Sequence, residues 1–392
     1  MGAGFALPVA AGVLCRPDGP PAGLSQHRNP FPRSHVRFIV WRRALILILG
    51  FPLLLAACQP AAQTVPSVSP QVASARPAPN RLPVSDALIS TSDTRSYLLF
   101  QLPGEDHLRG VSWDGATSGV IAGQVGAQAI WSAQAPDGSR YIADSVVYDR
   151  QGHSLGAIPW PDKGYSGSWS SDGKLLCDAV PESPTTGALM RLDVAALGHA
   201  PRVVTRAYAI YSDNATYPVL ACDTTRDRAI VAVLGQGIAL GHIWVFRLSN
   251  GTLIRSIDSP GSWAAVSNDG ALLAVAQPTS SGATRTTIQR TDDGTTVGTV
   301  DNFTAHGFSS NGSLLVGTTD PDSTVLLDWR TGRRIWSHSG LPYGGFFAEP
   351  AGERVAIGLG FTGGSDIADV YIVALDGSAV LLPAHVRAAL QF

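Results

Sequence analysis

Short apolar runs separated by turn residues cover most of the chain, and residues 305–338 show the pattern most clearly. Four runs of strand length occur there, among them Leu314–Val316 and Val325–Leu327. Tight turns join the runs at Asn311-Gly312 and Thr331-Gly332. Asn-Gly is favoured in hairpins because the turn requires a positive φ angle. The pattern predicts four short antiparallel strands.

The same unit recurs along the chain. Its first turn is found again at Asp137-Gly138, Asp172-Gly173, Asp227, Asp269-Gly270 and Gly352. Its second turn is found again at Gly152, Gly198, Gly251, Gly294 and Gly377. The spacing is 42 residues from Asp227 to Asp269, and 42 again from Asp269 to Asn311. A repeat of this length containing four strands is typical of a propeller blade.

These repeats predict an all-β fold, a β-propeller of about seven four-stranded blades over residues 91–392. Six units are clear in the sequence, and residues 95–125 form a weaker seventh. A six-bladed ring, in which 95–125 partly closes the ring against the last blade, is the alternative. Closure is required because an open ring would expose strand edges. The last residues, 384–392, are expected to form a short helix.

The N-terminal region has the order of a bacterial export signal. Arg37, Arg42 and Arg43 form a basic segment, and the apolar run 44–55 is shorter than the roughly 20 residues that span a bilayer. The run ends at Leu-Ala-Ala-Cys, which closely resembles the lipobox of bacterial lipoproteins. That resemblance implies that Cys58 carries the lipid and begins the mature chain.

Four regions follow from this interpretation. Residues 1–36 are a spurious or unstructured extension, expected from a start site assigned too far upstream. Residues 37–57 are the lipoprotein signal peptide. Residues 58–90 are rich in Pro, Ala and Ser and predict a disordered tether. Residues 91–392 are the propeller.

Composition and charge agree with an all-β fold and exclude one class of partner. The chain has 42 Gly and 27 Pro but only 15% charged residues, which suits many turns and few solvated helices. After residue 57 there are 22 basic and 29 acidic residues. An acidic body gives no electrostatic basis for binding nucleic acid.

Three stretches resemble known propeller repeats. Phe308–Gly312 and Trp169–Gly173 are similar to WD-like and TolB-like repeats. Leu327–Trp336 resembles a pyrroloquinoline-quinone-type repeat, in which an Asp, a Thr-Gly turn and a Trp lock adjacent blades together. The resemblance covers about residues 95–385 and implies the fold. The quinone enzymes also have a vicinal disulfide, and no two cysteines are adjacent in this chain, so no cofactor is expected.

Two motifs match catalytic or nucleotide-binding patterns but lack the neighbouring strand and helix that those patterns require. Gly152–Gly156 matches G-x-S-x-G, but it fills the second turn of a unit and no helical segment follows. Gly358–Gly363 matches G-x-G-x-x-G, but it lies between two predicted strands. We expect both to be interstrand turns, and we predict no catalytic residue.

The other chemistry-bearing residues are expected to have structural roles. His242, His306 and His338 lie beside strand ends, where a packed or solvated histidine is the commonest outcome. No Cys, His or carboxylate spacing predicts a metal site. The loop carboxylates are expected to cap turns; they are Asp223, Asp227, Asp320 and Asp322. The recurring tryptophans are expected to pack between blades; they are Trp131, Trp169, Trp244, Trp263, Trp329 and Trp336.

Cys177 and Cys222 occupy neighbouring units on strands that run near the centre of the predicted ring. In an exported protein they could form a disulfide between blades. Two buried thiols are the alternative, since free cysteine packs well in cores. The sequence leaves both open.

The favoured function is a binding or scaffolding module in the cell envelope, held on the membrane through lipid on Cys58. A monomer with an unknown protein or small-molecule ligand is expected. The alternatives are an enzyme with a channel-lined active site, lactonase-like or glycan-processing, and a quinoprotein relative without its cofactor. Differences between the units point to three loops as the places to look for function: Pro181–Gly187, Tyr208–Tyr217 and Phe361–Asp366.

Overall fold

The structure is a computed structural model. It describes residues 67–68, 79–90, 92–121, 133–143, 146–158, 167–182, 189–208, 217–234, 240–258, 263–319, 323–340, 342–350, 352–360, 367–383 and 386–388. These residues form thirty β-strands and no helix, so none of the described residues belongs to a helix that could cross a membrane. Cys58 and the predicted signal peptide lie outside the described residues.

The strands, in chain order, are β1 (Ser67–Val68), β2 (Asn80–Arg81), β3 (Tyr97–Gln101), β4 (Arg109–Ser112), β5 (Ser118–Val120), β6 (Ala133–Gln134), β7 (Arg140–Ala143), β8 (Val146–Asp149), β9 (Ser154–Ala157), β10 (Ser168–Trp169), β11 (Leu175–Pro181), β12 (Leu189–Ala196), β13 (Arg202–Tyr208), β14 (Val219–Asp223), β15 (Arg228–Leu234), β16 (Leu240–Arg247), β17 (Leu253–Asp258), β18 (Ala264–Val266), β19 (Leu272–Pro278), β20 (Thr284–Arg290), β21 (Thr296–Asp301), β22 (Phe303–Phe308), β23 (Leu314–Thr319), β24 (Ser323–Asp328), β25 (Arg333–Ser339), β26 (Pro342–Ala348), β27 (Val355–Gly360), β28 (Ile367–Val373), β29 (Ala379–Leu381) and β30 (Val386–Ala388).

Seven blades form a β-propeller, as the repeats predict. Blades 2 to 7 are the consecutive antiparallel sheets β6–β9, β10–β13, β14–β17, β18–β21, β22–β25 and β26–β29. The first strands of successive blades contact one another from blade 2 to blade 7, which places them at the centre of the ring. The fourth strand of each of these blades is therefore the outermost.

Blade 1 closes the ring with strands from both ends of the domain. Its order is β30, β3, β4 and β5, so the last described strand of the chain is its innermost strand. β30 pairs with β3 and also with β28 of blade 7. The helix expected over 384–392 is therefore wrong at residues 386–388. Pairing with two sheets outweighs the local helix preference of an Ala-rich segment.

The core is divided among the interfaces between blades. The buried apolar residues that the structure describes form seven clusters, and each cluster joins two neighbouring blades. One of them joins blade 7 to blade 1 through Phe347 and Phe100. Another joins blade 1 to blade 2 through Leu99 and Tyr141. Both sides of blade 1 are thus packed, which supports seven blades over six.

The two ends of the propeller differ in the length of their connections. At one end, tight turns join first to second strands and third to fourth strands, as at Gly312 and Gly332 with φ angles of 68° and 74°. We call this end the turn face. At the other end, the second strand runs into the third, and the fourth runs into the first strand of the next blade. We call this end the loop face.

A segment before blade 1 pairs with the outer edges of the blades. β1 pairs in parallel with β21 of blade 5, and β2 pairs in parallel with β29 of blade 7. Leu88 forms a parallel bridge with Val120 of blade 1. We call residues 67–68 and 79–90 the strap. Composition predicts a disordered tether for residues 58–90. The described part of that stretch instead pairs with existing sheets, because backbone hydrogen bonds order a segment whose side-chain composition predicts disorder.

Candidate functional site

The loop face is where the structure places the three loops singled out in the sequence. β11, β13 and β27 run to this face and end at or within two residues of the starts of these loops. Most of the three loops lies outside the described residues, at 183–188, 209–216 and 361–366. Of their described ends, the Tyr208 side chain is 73% exposed, whereas Tyr217 is buried and stacks on Trp244 with ring centroids 6.4 Å apart.

One tryptophan on the loop face differs from the others. The buried tryptophans of the described chain are at most 7% exposed, and they are Trp113, Trp169, Trp244, Trp329 and Trp336. They pack between blades, as expected. Trp263 is 55% exposed, so the packing role predicted for it is wrong. Trp131 lies outside the described residues.

Trp263 is held at the loop-face end of blade 5, directly before its first strand. Its carbonyl accepts a hydrogen bond of 2.9 Å from the backbone N–H of Ala276 on β19. Its indole ring lies 5.0 Å, centroid to centroid, from the imidazole of His306 on β22 of blade 6. The first strands of two neighbouring blades thus bring an exposed indole and an imidazole together at the mouth of the central channel.

A β-bulge sets the position of His306. On β22, Ala305 pairs with Gly317 and Gly307 pairs with Val316, so His306 is skipped in the register between β22 and β23. An extra residue of this kind bends a strand and redirects its side chain. The same bulge occurs in blade 4, where Leu220 occupies it. Blades 4 and 6 therefore share the bulge, and of the two only blade 6 holds a histidine in it.

The imidazole of His306 is partly buried and uncharged at neutral pH. Burial lowers the pKa of His306 to about 4. Its Nε2 lies 3.4 Å from the Thr318 hydroxyl on β23. The next residue must be small, because a Cβ atom on Gly307 would overlap the ring of Phe346 on β26. The pair of rings thus offers an aromatic face and neutral hydrogen-bonding groups.

A polar groove of about 340 Å³ opens at the loop-face end of blade 5. Its lining residues are Thr279, Ser280, Ser281, Ala283, Thr284, Arg285, Asp301 and Asn302. The Arg285 Nε donates to Asp301 Oδ1 at 2.5 Å. Asn302 alone connects β21 to β22, the strand that holds His306.

The two other histidines at this face have structural partners. His242 Nδ1 lies 2.9 Å from Asp258 Oδ1, and its ring stacks on Trp244. His338 Nε2 lies 3.2 Å from the Tyr371 hydroxyl of the next blade, and Trp336 packs against Tyr371 as well. These histidines support neighbouring aromatic residues, and their roles agree with the structural interpretation.

The motifs with catalytic patterns lie in turns and strands. Gly152 has a φ angle of 86° in the turn before β9, and Ser154 begins that strand as an exposed residue. The motif runs directly into strand β9 and not into a helix, so the nucleophile elbow is excluded. Gly358 and Gly360 lie in β27, and residues 361–363 lie outside the described residues.

The carboxylates noted in the sequence cap turns where they are described. Asp223 Oδ1 accepts hydrogen bonds from the backbone N–H groups of Thr225 and Arg226. Asp227 accepts one from the N–H of Ser249. Asp320 and Asp322 lie outside the described residues. Over the described part of the chain, no three His, Cys, Asp or Glu side chains come together as a metal site.

The structure brings Cys177 on β11 of blade 3 and Cys222 on β14 of blade 4 within reach of a disulfide, with their Cα atoms 5.8 Å apart. Both residues are buried in the cluster between these two blades. The pair of cysteines lies away from the loop face, toward the turn face, because both residues are close to the first turn of their blades. It connects blades and is not part of the candidate site.

Sequence reasoning missed the pairing of Trp263 with His306. The only signal was position: Trp263 stands four residues before Ser267 of its turn, whereas Trp169 stands directly before the equivalent Ser170. An earlier position on the first strand lies nearer the loop face.

Comparison with known protein families and with curated proteins found no match for the chain. The class is therefore defined by the fold: a seven-bladed β-propeller with its candidate site at one mouth of the channel.

Proposed function

We propose that the protein is a lipid-anchored β-propeller of the bacterial cell envelope that binds a ligand through its loop face. The observation that carries this proposal is the exposed indole of Trp263 beside the neutral imidazole of His306. Aromatic side chains left exposed at the mouth of a concave site are typical of binding sites. We expect the protein to act as a monomer and to bind no nucleic acid.

Binding is favoured over catalysis by the contacts of His306. A histidine that acts as a general base is normally oriented by a carboxylate and has a pKa near the working pH. The ring of His306 contacts a threonine hydroxyl and an indole, and its pKa of about 4 keeps it unprotonated at neutral pH. These features suit a fixed hydrogen-bonding group.

The anchor is inferred from the sequence, where a basic segment, an apolar run and a lipobox-like Leu-Ala-Ala-Cys occur in that order. Lipid on Cys58 would hold the mature chain on the membrane. Eight residues separate Cys58 from Ser67, the first strap residue, and a chain of that length spans roughly 30 Å when fully extended. The lipid would therefore keep the propeller close to the bilayer.

The anchor is tested with Cys58→Ala in cells given radioactive palmitate. We expect the wild-type protein to be labelled and recovered with membranes, and the variant to be unlabelled and lost from that fraction. Cys177→Ala, which changes a cysteine of the propeller, is the matched control and is expected to be labelled and recovered with membranes like the wild type. Unchanged labelling and membrane recovery of Cys58→Ala would refute the anchor.

The binding face is tested by passing detergent-solubilised envelope extract over immobilised wild-type, Trp263→Ala and Tyr208→Ala proteins. Trp263 and Tyr208 are both exposed aromatic residues of the loop face, on blades 5 and 3. We expect one component to be retained by the wild type and by Tyr208→Ala but lost with Trp263→Ala. Equal retention by all three proteins would contradict a site at Trp263.

A further inference from the structure

Three consecutive blades expose an apolar side chain at the turn face. Of the large apolar and aromatic residues that are exposed in the described chain, two belong to the strap, and Tyr208 and Trp263 belong to the loop face. The remaining three are at least 40% exposed and lie within the first two residues of the outer strands of blades 2, 3 and 4. We call them the apolar rim, and they are Leu155, Val203 and Leu253.

The outer strands of these three blades are packed against one another at the turn face. A Cβ atom on Gly156 of β9 would lie 3.7 Å from the Leu197 side chain, in the turn before β13. The turn before β17 lies so close to β13 that a Cβ atom on Gly251 would overlap the Val204 carbonyl. The side chains of the apolar rim therefore follow one another along one outer edge of the turn face.

The other blades have no exposed apolar residue at this place. The first two residues of their outer strands in the described chain are polar, small or partly buried. These residues are Ser118-Gly119 in blade 1, Thr296-Val297 in blade 5, Arg333-Arg334 in blade 6 and Ala379-Val380 in blade 7. The apolar rim is thus confined to one side of the ring, as a docking surface would be.

The turns beside the apolar rim contain no carboxylate. The second turns of blades 2, 3 and 4 are residues 150–153, 197–201 and 248–252, and none of these residues is Asp or Glu. The second turns of blades 1, 5 and 7 do contain carboxylates, and these are Asp114, Asp292, Asp293 and Asp376. An anionic surface would therefore be repelled least at blades 2 to 4.

Two arginines stand next to the apolar rim. Arg150 lies in the second turn of blade 2, and its guanidinium donates to the Thr94 carbonyl. Arg202 begins β13 and donates to the Leu248 carbonyl of blade 4 at 3.2 Å. Both hydrogen bonds leave the positive charge without a counter-charge. Cations beside exposed apolar side chains suit the phosphate groups and acyl chains of a lipid surface.

The strap shows from which side a lipid anchor would reach the propeller. β21 begins at the turn face, and β1 runs parallel to it. Ser67 pairs with Thr299, three residues after the start of β21, so roughly 10 Å of extended chain would lead from Ser67 back to the turn face. Eight residues separate Cys58 from Ser67, which is enough to cover this distance and to extend beyond it. An anchor on Cys58 would thus approach beside blade 5, the neighbour of blade 4.

From these observations we propose that the apolar rim of blades 2 to 4 docks on the lipid surface that holds Cys58, with the turn face toward the bilayer and the loop face away from it. This inference rests on the proposed function, because the anchor brings the propeller to the membrane. The three apolar side chains enter the boundary between headgroups and acyl chains, and Arg150 and Arg202 pair with phosphates. The bilayer then covers the apolar rim and leaves Trp263 open to a ligand.

The test measures how near each face lies to lipid in the full-length lipoprotein. The protein is reconstituted in vesicles of phosphatidylcholine and phosphatidylglycerol that contain a lipid with a nitroxide on its headgroup, and it carries a fluorophore on one introduced cysteine. Ala200→Cys places the fluorophore in the second turn of blade 3. Ala116→Cys, the matched control, places it in the second turn of blade 1, and Ser281→Cys places it on the loop face. All three residues are exposed. We expect the nitroxide to quench the fluorophore at residue 200 and not at residues 116 or 281.

A double variant, Val203→Asp with Leu253→Asp, tests the apolar rim itself. We expect it to lose the quenching at residue 200 and still to float with the vesicles, because the lipid on Cys58 is unchanged. Val84→Asp alters an exposed apolar residue outside the rim and should keep the quenching. The altered side chains are exposed, so all variants should keep the wild-type melting temperature.

The readings of flotation and quenching separate the docking from the anchor. Protein that floats with the vesicles but is quenched no more at residue 200 than at residues 116 and 281 would overturn the docking and leave the anchor intact. Quenching at residue 200 that persists in the double variant would show that the apolar rim does not make the contact. Protein that does not float would refute the anchor, and the docking with it.

Discussion

Trp263 and Trp329 illustrate, at the scale of single residues, how one side chain type serves two purposes in this repeat. Trp329 is buried, its Nε1–H donates to the Gly312 carbonyl at 2.8 Å, and it packs against Gly298 of the previous blade. Trp263 exposes more than half of its surface. The sequence predicts that both tryptophans pack between blades. Whether a residue is exposed depends on the side of the strand that it occupies, and a bulge or a shift of one residue moves it to the other side.

His306 makes the stability of the fold depend on pH. Its pKa is lowered from 6.5 to about 4 in the folded state, so the unfolded chain binds the proton more readily. The contribution of His306 to the free energy of unfolding is therefore present above pH 6.5 and is lost as the pH falls from 6.5 toward 4. This one group should reduce the free energy of unfolding by about 2 kcal/mol between pH 7 and pH 5.

The measurement is urea unfolding of the wild type and of His306→Gln at both pH values. Glutamine does not titrate, so its profile between pH 7 and pH 5 should be flatter by that amount, while every other group contributes equally to both proteins. Identical pH dependence in the two proteins would show that His306 is not held neutral by burial.

At the scale of elements, the strap has the clearest consequence for stability. Ile89 donates its backbone N–H to Val120 at 2.9 Å, and its side chain packs in the cluster between blades 1 and 2. The buried guanidinium of Arg109 on β4 is paired with strap residue Asp86 at 2.8 Å. These contacts tie the strap to the blade that closes the ring.

Two adjacent strap residues give a matched pair of variants. Ile89→Ala removes packing at the interface of blades 1 and 2 and should reduce the free energy of unfolding by about 1–3 kcal/mol. Leu88→Ala changes a side chain that is 70% exposed, so its effect should stay within about 0.5 kcal/mol. Urea titration measures the free energy of unfolding of both variants. An equal effect of the two substitutions would mean that the strap does not dock as described.

The disulfide between blades 3 and 4 remains a prediction, because it requires the oxidising surroundings of an exported protein. Cross-linking residues 45 apart in sequence restricts the unfolded chain and should stabilise the fold by up to about 4 kcal/mol. Cys177→Ala, Cys222→Ala and the double variant should lose the same amount, because each one removes the same bond.

Alkylation followed by peptide mass spectrometry checks the bond directly. Unreduced native protein should give a linked peptide pair containing both cysteines, and neither cysteine should be alkylated until a reductant is added. Two alkylated thiols in unreduced protein unfolded in denaturant would establish buried free cysteines instead.

At the scale of the whole molecule, the repeat was predictable and its closure was only partly so. Turns such as Asn311-Gly312 recur at a fixed spacing, and local turn chemistry is enough to recognise each blade. β30 could not be foreseen, because a strand that joins blade 7 to blade 1 is defined by distant partners and not by its own composition. The strap escaped prediction for the same reason.

The candidate site depends on the same long-range arrangement. Trp263 and His306 are 43 residues apart and meet only because blades 5 and 6 lie side by side. The loop face was predictable from the lengths of the connections, since three loops already pointed to it. The pairing of an indole with an imidazole at its centre required the register of β22, in which a bulge leaves His306 outside the residue pairs that join β22 to β23.

Site-specific photo-cross-linking in living cells tests the central claim, that the loop face is the binding face, most directly. A photoreactive amino acid is placed at Ser281, an exposed residue of the groove on the loop face, or at Asn250, an exposed residue of the turn face. We predict an adduct at Ser281 that disappears when Trp263→Ala is added, and no adduct at Asn250. An adduct at Asn250 with none at Ser281 would contradict the account.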